Sequence, residues 1–397
     1  MSGTALALLG IIALGLTFTA VPVIADVEFG ALAISALAAT MLAVSFFGRR
    51  PSWVSGILLA ACLGVAAQTA NNCLFAFQQE EVHVKSADAE LAGTLYLPRT
   101  AGPHAVAIFV HGSGPQTRKE YAFYARLFAR SGIAGFAYDK RGAGSSSGKT
   151  YGTDYRGYAG DVVAVINALR ARRDINPDAI GIVGFSEGEW IGPLAATQDG
   201  HVAFLVVVGA SGTSPAEQVN AEIAIRLRAR GHSEDEIAKA LALNNRVFDY
   251  ERTGAGVEAL KADLAAAKNE RWFVDAQKIP SELYESSEYA WWRSVMDFDP
   301  RPIWQAVTAP VLILKGGRDD RSPADVAIRE ISSALQRGGN KSFNTKIFPN
   351  ADHLILEWPL GDRTPPPVFA PGYLDTLVGW VRSDRMVVDN SRARSHQ

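Results

Sequence analysis

The chain has 397 residues, with 39 basic and 41 acidic side chains and a formal net charge of −2. This balance gives no overall attraction to nucleic acid, so we expect no nucleic-acid partner. The two cysteines, Cys62 and Cys73, both fall in the apolar N-terminal region, which excludes a disulfide-stapled secreted fold and a cysteine-based zinc site.

Residues 1–78 carry almost no charge and contain three apolar stretches, Leu6–Ala25, Ala31–Gly48 and Trp53–Ala70. Each stretch is close to the ~20 residues with which a helix crosses a bilayer. We therefore predict a membrane region of three transmembrane helices over 1–78, through which the protein binds the membrane.

The connection between the second and third stretches contains Arg49 and Arg50. Basic connections stay on the cytoplasmic side, which predicts that the rest of the chain lies on the periplasmic or extracellular side of the cell (inner) membrane. The alternative is a processed or anchored form, with a lipoprotein-like signal ending at Cys62. Signal peptides are N-terminal and ~15–30 residues long, and the two apolar stretches upstream of Cys62 argue against that alternative.

From residue 79 to residue 383, strand and helix patterns alternate. Continuous apolar runs such as Val106–Val110 and Ile180–Phe185 are typical of strands buried on both faces. Helical patterns such as Arg156–Arg172 lie between these runs. The alternation predicts an α/β domain over 79–383, with a mostly parallel central sheet flanked by helices. The polar segment 384–397 is expected to be a disordered tail.

The interval from Gly209 to Pro310 interrupts this alternation, because it has helical spacing and no strong strand run. Insertions of this size in a compact sheet are usually functional, so we predict a helical cap over about 213–300. Three of its aromatic residues, Tyr289, Trp291 and Trp292, allow two interpretations. They either line an acyl pocket or pack the cap onto the core.

The pattern Gly-x-Ser-x-Gly occurs twice, over Gly184–Gly188 and over Gly144–Gly148. A nucleophilic serine in this pattern needs a sharp strand-to-helix turn that projects its hydroxyl above the sheet. Ser186 follows an apolar strand and precedes a helical segment, whereas Ser146 follows a polar, turn-like run. We therefore predict Ser186 as the nucleophile. The second region also approximates a phosphate-binding loop, but Gly152 ends any helix after it, which argues against nucleotide binding.

A serine nucleophile needs a general base, and histidine is the usual one. In strand–turn–helix hydrolases the base follows the nucleophile in the chain. Four histidines do so: His201 precedes a strand, His232 lies in the predicted cap, His353 follows the last predicted strand, and His396 lies in the polar tail. Sites in such sheets form at the carboxyl ends of strands, so we predict His353 as the base.

One carboxylate must orient that histidine and stabilise its charged form. Asp319 and Asp320 both follow the apolar run Val311–Leu314; Asp319 is preferred and Asp320 is the alternative. Acyl transfer also needs backbone N–H donors for the oxyanion, one of them after the nucleophile and one after an early strand. Glu187 and either Ser113 or Gly114 stand at these positions.

Five motifs follow one another along the chain. Together they resemble the bacterial α/β-hydrolase esterases, near the prolyl-oligopeptidase-like branch, over about residues 81–383. They are His111–Pro115, Asp139–Ser145, Gly184–Gly188, Gly316–Asp319 with Pro323, and Asp352–His353.

The resemblance implies hydrolysis of a small-molecule or lipid carboxylic ester through an acyl-enzyme intermediate, with no cofactor and no metal. In the family pattern the acidic residue stands three positions after the glycine and four before the proline, and from Gly316 and Pro323 this spacing points to Asp319. One position departs from the family pattern, because Glu189 stands where a second glycine is usual. A membrane-anchored serine peptidase, a lipid or thioester hydrolase and a catalytically inactive binding protein are the alternatives.

Overall fold

The computed structural model describes residues 77–283, 287–358 and 367–394, together with Ile57, Ala60, Leu63, Gly64 and Ala67. The three predicted transmembrane helices over 1–78 therefore lie outside the described residues, apart from those five and the start of the first strand. No helix within the described residues is long and apolar enough to cross a bilayer.

An eight-stranded sheet forms the centre of the domain, in the order β1-β2-β4-β3-β5-β6-β7-β8. The pairs β1–β2 and β2–β4 are antiparallel, and all other neighbours are parallel. This confirms the predicted mostly parallel sheet. The strands are β1 Phe77–Ser86, β2 Ala89–Pro98, β3 His104–Val110, β4 Ala134–Tyr138, β5 Ile175–Phe185, β6 Leu205–Val208, β7 Val311–Gly316 and β8 Phe343–Phe348, with a separate antiparallel pair, β9 Leu356–Glu357 and β10 Val368–Phe369.

Helices flank the sheet and fill the interval between β6 and β7. The last helix continues to Arg394, where the sequence predicted a disordered tail from residue 384. No glycine or proline interrupts 384–394, so no helix-breaking residue ends it earlier. The helices are α1 Ala122–Arg130, α2 Tyr155–Arg170, α3 Gly188–Asp199, α4 Pro215–Ala229, α5 Glu234–Thr253, α6 Val257–Ala267, α7 Arg271–Ala276, α8 Ser287–Val295, α9 Arg301–Ala306, α10 Ala324–Arg337 and α11 Tyr373–Arg394.

Two apolar clusters cover the two faces of the sheet. On β3, Val106, Ile108 and Val110 belong to one cluster, whereas Ala107 and Phe109 belong to the other. Successive side chains of a strand point to opposite faces. A strand buried on both faces therefore needs apolar residues at every position, which explains the continuous apolar runs in the sequence.

Helices α4 to α8 occupy the interval predicted to be a helical cap. Many of their apolar side chains form a cluster of their own, which includes Ile223, Leu227 and Leu264. Trp291 and Trp292, on α8, instead pack against one of the two clusters on the sheet. These contacts fit the second interpretation of the cap aromatics, in which they pack the insertion onto the core.

The direction of β1 decides where the chain enters the domain. Because β1 is antiparallel to β2 and β2 is antiparallel to β4, β1 runs in the same direction as the parallel strands. Phe77, at the start of β1, therefore lies at the amino edge of the sheet. The loops that follow β3, β5, β6, β7 and β8 all lie at the opposite, carboxyl edge.

Candidate active site

Ser186 stands in a strained turn between β5 and α3, with a φ of +52°. A non-glycine residue in this left-handed region is uncommon and costs conformational energy. A Cβ on Gly184 would lie 2.5 Å from the Gly188 carbonyl oxygen, and one on Gly188 would lie 2.9 Å from the carbonyl oxygen of Val110. The turn is thus so tightly packed that both flanking positions of the motif require glycine.

His353 joins Ser186 to Asp319. Its Nε2 lies 2.9 Å from Ser186 Oγ, and its Nδ1 lies 2.8 Å from Asp319 Oδ2. Burial by itself would raise the pKa of Asp319, but the hydrogen bond from His353 and the charge of Lys315 outweigh it and lower the pKa to about 2. The carboxylate is therefore charged throughout the neutral range, as a group that orients an imidazole must be.

The alternative residues lie in other surroundings. Asp320 is partly exposed, and its Oδ2 lies 3.6 Å from Arg226 Nη2. The Nε2 of His232 lies 2.8 Å from Asp275 Oδ2 within the helical insertion. His201 is exposed and lies next to Asp199. Of these candidate acids and bases, only Asp319 and His353 contact each other.

Ser146, in the second copy of the serine motif, belongs to a loop folded around Asp139. Its hydroxyl donates to the Asp139 carbonyl oxygen at 2.6 Å, and the N–H of Ser145 donates to the Asp139 carboxylate at 2.8 Å. A Cβ on Gly144 would lie 2.4 Å from that carboxylate. These contacts leave the Ser146 hydroxyl buried and engaged in holding the loop.

The loop after β3 passes beside the serine, since a Cβ on Gly112 would lie 3.4 Å from Ser186 Cβ. The N–H of Gly112 donates to Gln116 Oε1 and to the Tyr121 hydroxyl. Among the described residues, no backbone carbonyl accepts from the N–H of Ser113 or of Glu187. Gly114 follows Ser113 in this loop with a φ of +84°.

A buried ion pair connects this loop to the serine turn. The Lys140 ammonium binds the Glu187 carboxylate, and both side chains are almost completely buried. Lys140 Nζ also donates to the Gly112 carbonyl oxygen at 3.2 Å. Burial raises the pKa of Glu187, and the Lys140 cation opposes that effect. The pair joins two residues 47 positions apart, and sequence reasoning missed it.

Glu189, the departure from the family pattern, holds the loop after β6. Its Oε1 accepts from the N–H and the hydroxyl of Ser211, both at 2.6 Å, and its Oε2 accepts from the N–H of Gly212 at 2.8 Å. Burial raises the pKa of Glu189 to about 7, although these hydrogen bonds oppose the shift. The side chain thus binds a neighbouring loop through both of its carboxyl oxygens.

Lys315 is a second group that sequence reasoning missed. It lies near the end of β7 and its side chain is fully buried. Its Nζ lies 2.5 Å from Asp319 Oδ2, 2.6 Å from Ser322 Oγ and 2.8 Å from the Ala210 carbonyl oxygen. A lysine within an otherwise apolar strand was the signal available in the sequence, because a buried ammonium needs a partner.

A cavity of about 490 Å³ opens beside Ser186 and His353. Its walls include five aromatic side chains, which come from the segment around α1, from β5 and from β10. Tyr289, Trp291 and Trp292 border a different cavity of about 250 Å³. In the described part of the chain, no group of three or more His, Cys, Asp or Glu side chains is arranged to hold a metal ion. The aromatic residues of the larger cavity are Tyr121, Phe123, Tyr124, Phe185 and Phe369.

A family model and two curated proteins match this chain. The model of the family described as "Alpha/beta hydrolase family" matches residues 107–370. Esterase EstD of Thermotoga maritima is 23% identical over 312 residues, which cover 76% of this chain and 66% of the esterase. The non-heme chloroperoxidase of Burkholderia pyrrocinia is 26% identical over 270 residues, which cover 65% of this chain and 87% of that protein.

Solved structures show weaker similarity. Est1E of Butyrivibrio proteoclasticus with bound ferulic acid is 17% identical, with a TM-score of 0.47 and coverage of 77% of this chain and 98% of that chain. The proline iminopeptidase of Mycobacterium smegmatis is 17% identical, with a TM-score of 0.48 and coverage of 78% and 100%.

Proposed function

Because the chain belongs to the alpha/beta hydrolase family, we propose that it is a serine esterase that cleaves carboxylic esters through an acyl-enzyme intermediate. Ser186 is the nucleophile, His353 the general base and Asp319 the carboxylate that orients it. The observation that carries the proposal is the pair of hydrogen bonds, 2.9 and 2.8 Å long, that links these three side chains. A free serine hydroxyl is a poor nucleophile and needs such an adjacent base.

In the first half-reaction, Ser186 Oγ attacks the ester carbonyl carbon while His353 Nε2 accepts the hydroxyl proton. The N–H groups of Glu187 and of Ser113 or Gly114 stabilise the negative oxygen that forms. The tetrahedral intermediate then breaks its bond to the alkoxy oxygen. His353 returns the proton to that oxygen, the alcohol leaves, and the acyl group stays on Ser186.

In the second half-reaction, a water molecule takes the place of the alcohol. His353 accepts a proton from this water as its oxygen attacks the acyl carbon. When the second intermediate collapses, the proton passes to Ser186 Oγ, and the carboxylic acid is released. Asp319 carries its negative charge throughout and stabilises the imidazolium that forms in each step.

The cavity beside Ser186 favours a small-molecule ester with a compact apolar or aromatic group. Its volume of about 490 Å³ lies within the range of small-molecule sites, ~300–1,000 Å³. Aromatic walls bind flat apolar groups well. The similarity to an esterase supports ester hydrolysis over the peptidase, lipid and thioester alternatives. Turnover of aminoacyl anilides without turnover of esters would instead favour a peptidase.

The membrane association expected from residues 1–78 is a further part of the proposal. Its support is the length and apolar composition of the three stretches. Fractionation of cells that express the full chain tests it, because an integral protein stays in the membrane pellet after an alkaline carbonate wash. Release of the full chain into the supernatant would contradict it.

The test of the nucleophile compares Ser186→Ala with Ser146→Ala. A fluorophosphonate probe labels an activated serine covalently, and p-nitrophenyl acetate reports esterase turnover. We expect Ser186→Ala to abolish both signals. Ser146→Ala removes a buried hydroxyl from the structural loop, so the folded fraction of that variant keeps both. Labelling of folded Ser186→Ala protein, or loss of labelling in folded Ser146→Ala, would overturn the assignment.

A further inference from the structure

We propose that Lys315 is a positioning residue of this reaction: its buried ammonium fixes Asp319 and offsets part of its negative charge, so that His353 works as a neutral base at a lower pH. The inference rests on the proposed function of Ser186, Asp319 and His353, and concerns how their surroundings set the pH range of activity.

The ammonium of Lys315 is held in one position. A lysine ammonium has three N–H donors, and three acceptors surround it: Asp319 Oδ2, Ser322 Oγ and the Ala210 carbonyl oxygen, all within 2.8 Å. The side chain is fully buried, so water does not screen its charge. A charge fixed in this way acts on its neighbours with little weakening by solvent.

Lys315 and His353 share one oxygen atom. Asp319 Oδ2 lies 2.5 Å from Lys315 Nζ and 2.8 Å from His353 Nδ1. Asp319 Oδ1 accepts from the N–H of Arg321 at 2.8 Å. A carboxylate stabilises an imidazolium through its full negative charge. With a cation on the same oxygen, part of that stabilisation is cancelled, and protonation of the base at mildly acidic pH becomes less favourable.

Lys315 also helps to hold the loop after β6, which lies beside His353. It binds the carbonyl oxygen of Ala210, while Glu189 binds the N–H groups of the next two residues. A Cβ on Gly209, directly before Ala210, would lie 3.0 Å from Cε1 of the His353 ring. A cation and a carboxyl group therefore hold this short loop from two elements, β7 and α3.

Several other charged groups surround His353, and each bears on the pH profile. Arg321 borders the same cavity, and Asp352 precedes His353 but binds the N–H groups of Leu354 and Leu356. On the side of the serine turn lies the Lys140–Glu187 pair. Lys315 is the cation that binds the same Asp319 oxygen as His353. Its removal should therefore shift the acid limb of the pH profile more than removal of these other charges.

The experiment measures kcat/KM for p-nitrophenyl acetate against pH, because the acid limb of this profile reports the essential base of the free enzyme. The variants are Lys315→Met, which removes charge and donors, and Lys315→Gln, which keeps N–H donors. Lys346→Met is the matched control, since Lys346 is exposed on the neighbouring strand β8 and binds Thr376. All are made in the full chain.

We expect the acid limb to move to higher pH by about 1 unit or more in both Lys315 variants, and to stay in place in Lys346→Met. A uniform loss of rate at every pH in folded Lys315 variants would show a merely structural role and overturn the proposal. If neither variant folds, Lys315 serves stability alone, and the proposal is likewise overturned. If the wild-type chain shows no Ser186-dependent turnover, the proposed function itself fails.

Discussion

The backbone of Gly209 lies directly against His353. A Cβ on Gly209 would come within 2.5 Å of the His353 carbonyl oxygen and 3.0 Å of its ring carbon Cε1. Gly209 also has a φ of +73°, so glycine is required there both by backbone conformation and by space. The position of the imidazole therefore depends on a residue that supplies no functional group.

Gly209→Ala should displace His353 and lower kcat/KM at least about tenfold, because a small misplacement of a catalytic group is costly. Gly200→Ala is the control, since Gly200 has the same φ of +73° with no atom within 4 Å of an added Cβ. Gly200→Ala should lose about 1–2 kcal/mol of folding stability from the left-handed backbone, and Gly209→Ala should lose more because its Cβ also clashes with the His353 carbonyl oxygen. Equal esterase activity in the two folded variants would contradict this contact's role.

Asp319→Asn should lower kcat by about 10³–10⁴-fold, because an amide no longer holds the imidazole in the required tautomer. Asp320→Asn changes the neighbouring carboxylate, which lies beside Arg226, and should leave kcat within about twofold. Steady-state kinetics on p-nitrophenyl acetate at pH 8 measures both. A larger loss in Asp320→Asn would reassign the acid.

The lowered pKa of Asp319, about 2, predicts a pH-dependent contribution to stability. An acid whose pKa is lower in the folded than in the unfolded state stabilises the fold above its unfolded value, and this is lost as pH falls through the folded value. The free energy of unfolding of the wild type should exceed that of Asp319→Asn by an amount that shrinks by about 2 kcal/mol between pH 5 and pH 2. Urea titrations measure this difference, and a constant gap would refute the prediction.

Lys140→Met should destabilise the fold by about 3–5 kcal/mol, because it leaves the buried Glu187 carboxylate without its cation. The double variant Lys140→Met/Glu187→Gln removes both charges and should recover part of this loss. Lys149→Met, at an exposed position nearby, should change stability by less than about 0.5 kcal/mol. Urea denaturation of the wild type, Lys140→Met, Glu187→Gln and the double variant gives the coupling energy of the pair; strictly additive losses would show that the two residues do not interact.

Phe123→Ala should reduce kcat/KM for p-nitrophenyl phenylacetate about tenfold more than for the acetate. Phe123 lines the cavity beside Ser186 and stacks on Phe369, with ring centroids 5.3 Å apart, so its removal opens one aromatic wall. Both esters release the same alcohol, and the acetate serves as the internal control. A parallel loss for both esters would place the acyl group elsewhere.

The sheet and the serine turn could be predicted from short stretches of sequence. A strand buried on both faces needs an apolar residue at each position, and a Gly-x-Ser-x-Gly pattern between an apolar strand and a helical segment marks the serine turn. Asp319 and His353 were predicted from their order after the nucleophile, from the rule that loops after parallel strands meet at one edge, and, for Asp319, from its spacing from Gly316 and Pro323. Pairing between residues far apart in the chain was not needed for any of these predictions.

The features that were not predicted depend on contacts between residues far apart in the chain. Lys140 meets Glu187 across 47 positions, and the cavity joins Phe123 to Phe369. The cap aromatics allowed two interpretations because helical spacing does not determine which surface a helix packs against. Glu189 was noticed, but its partners lie in a loop 22 residues later, and nothing local identifies them.

The direction of β1 bears on how a substrate would reach the protein. Phe77 starts this ten-residue strand at the amino edge, and such a strand spans roughly 30 Å. If residues 1–78 anchor the chain in a bilayer, the lipid surface adjoins that edge, and Ser186 opens toward the aqueous phase on the far side of the domain. Esters dissolved in that phase would then reach the serine directly, whereas a lipid would have to leave its leaflet first.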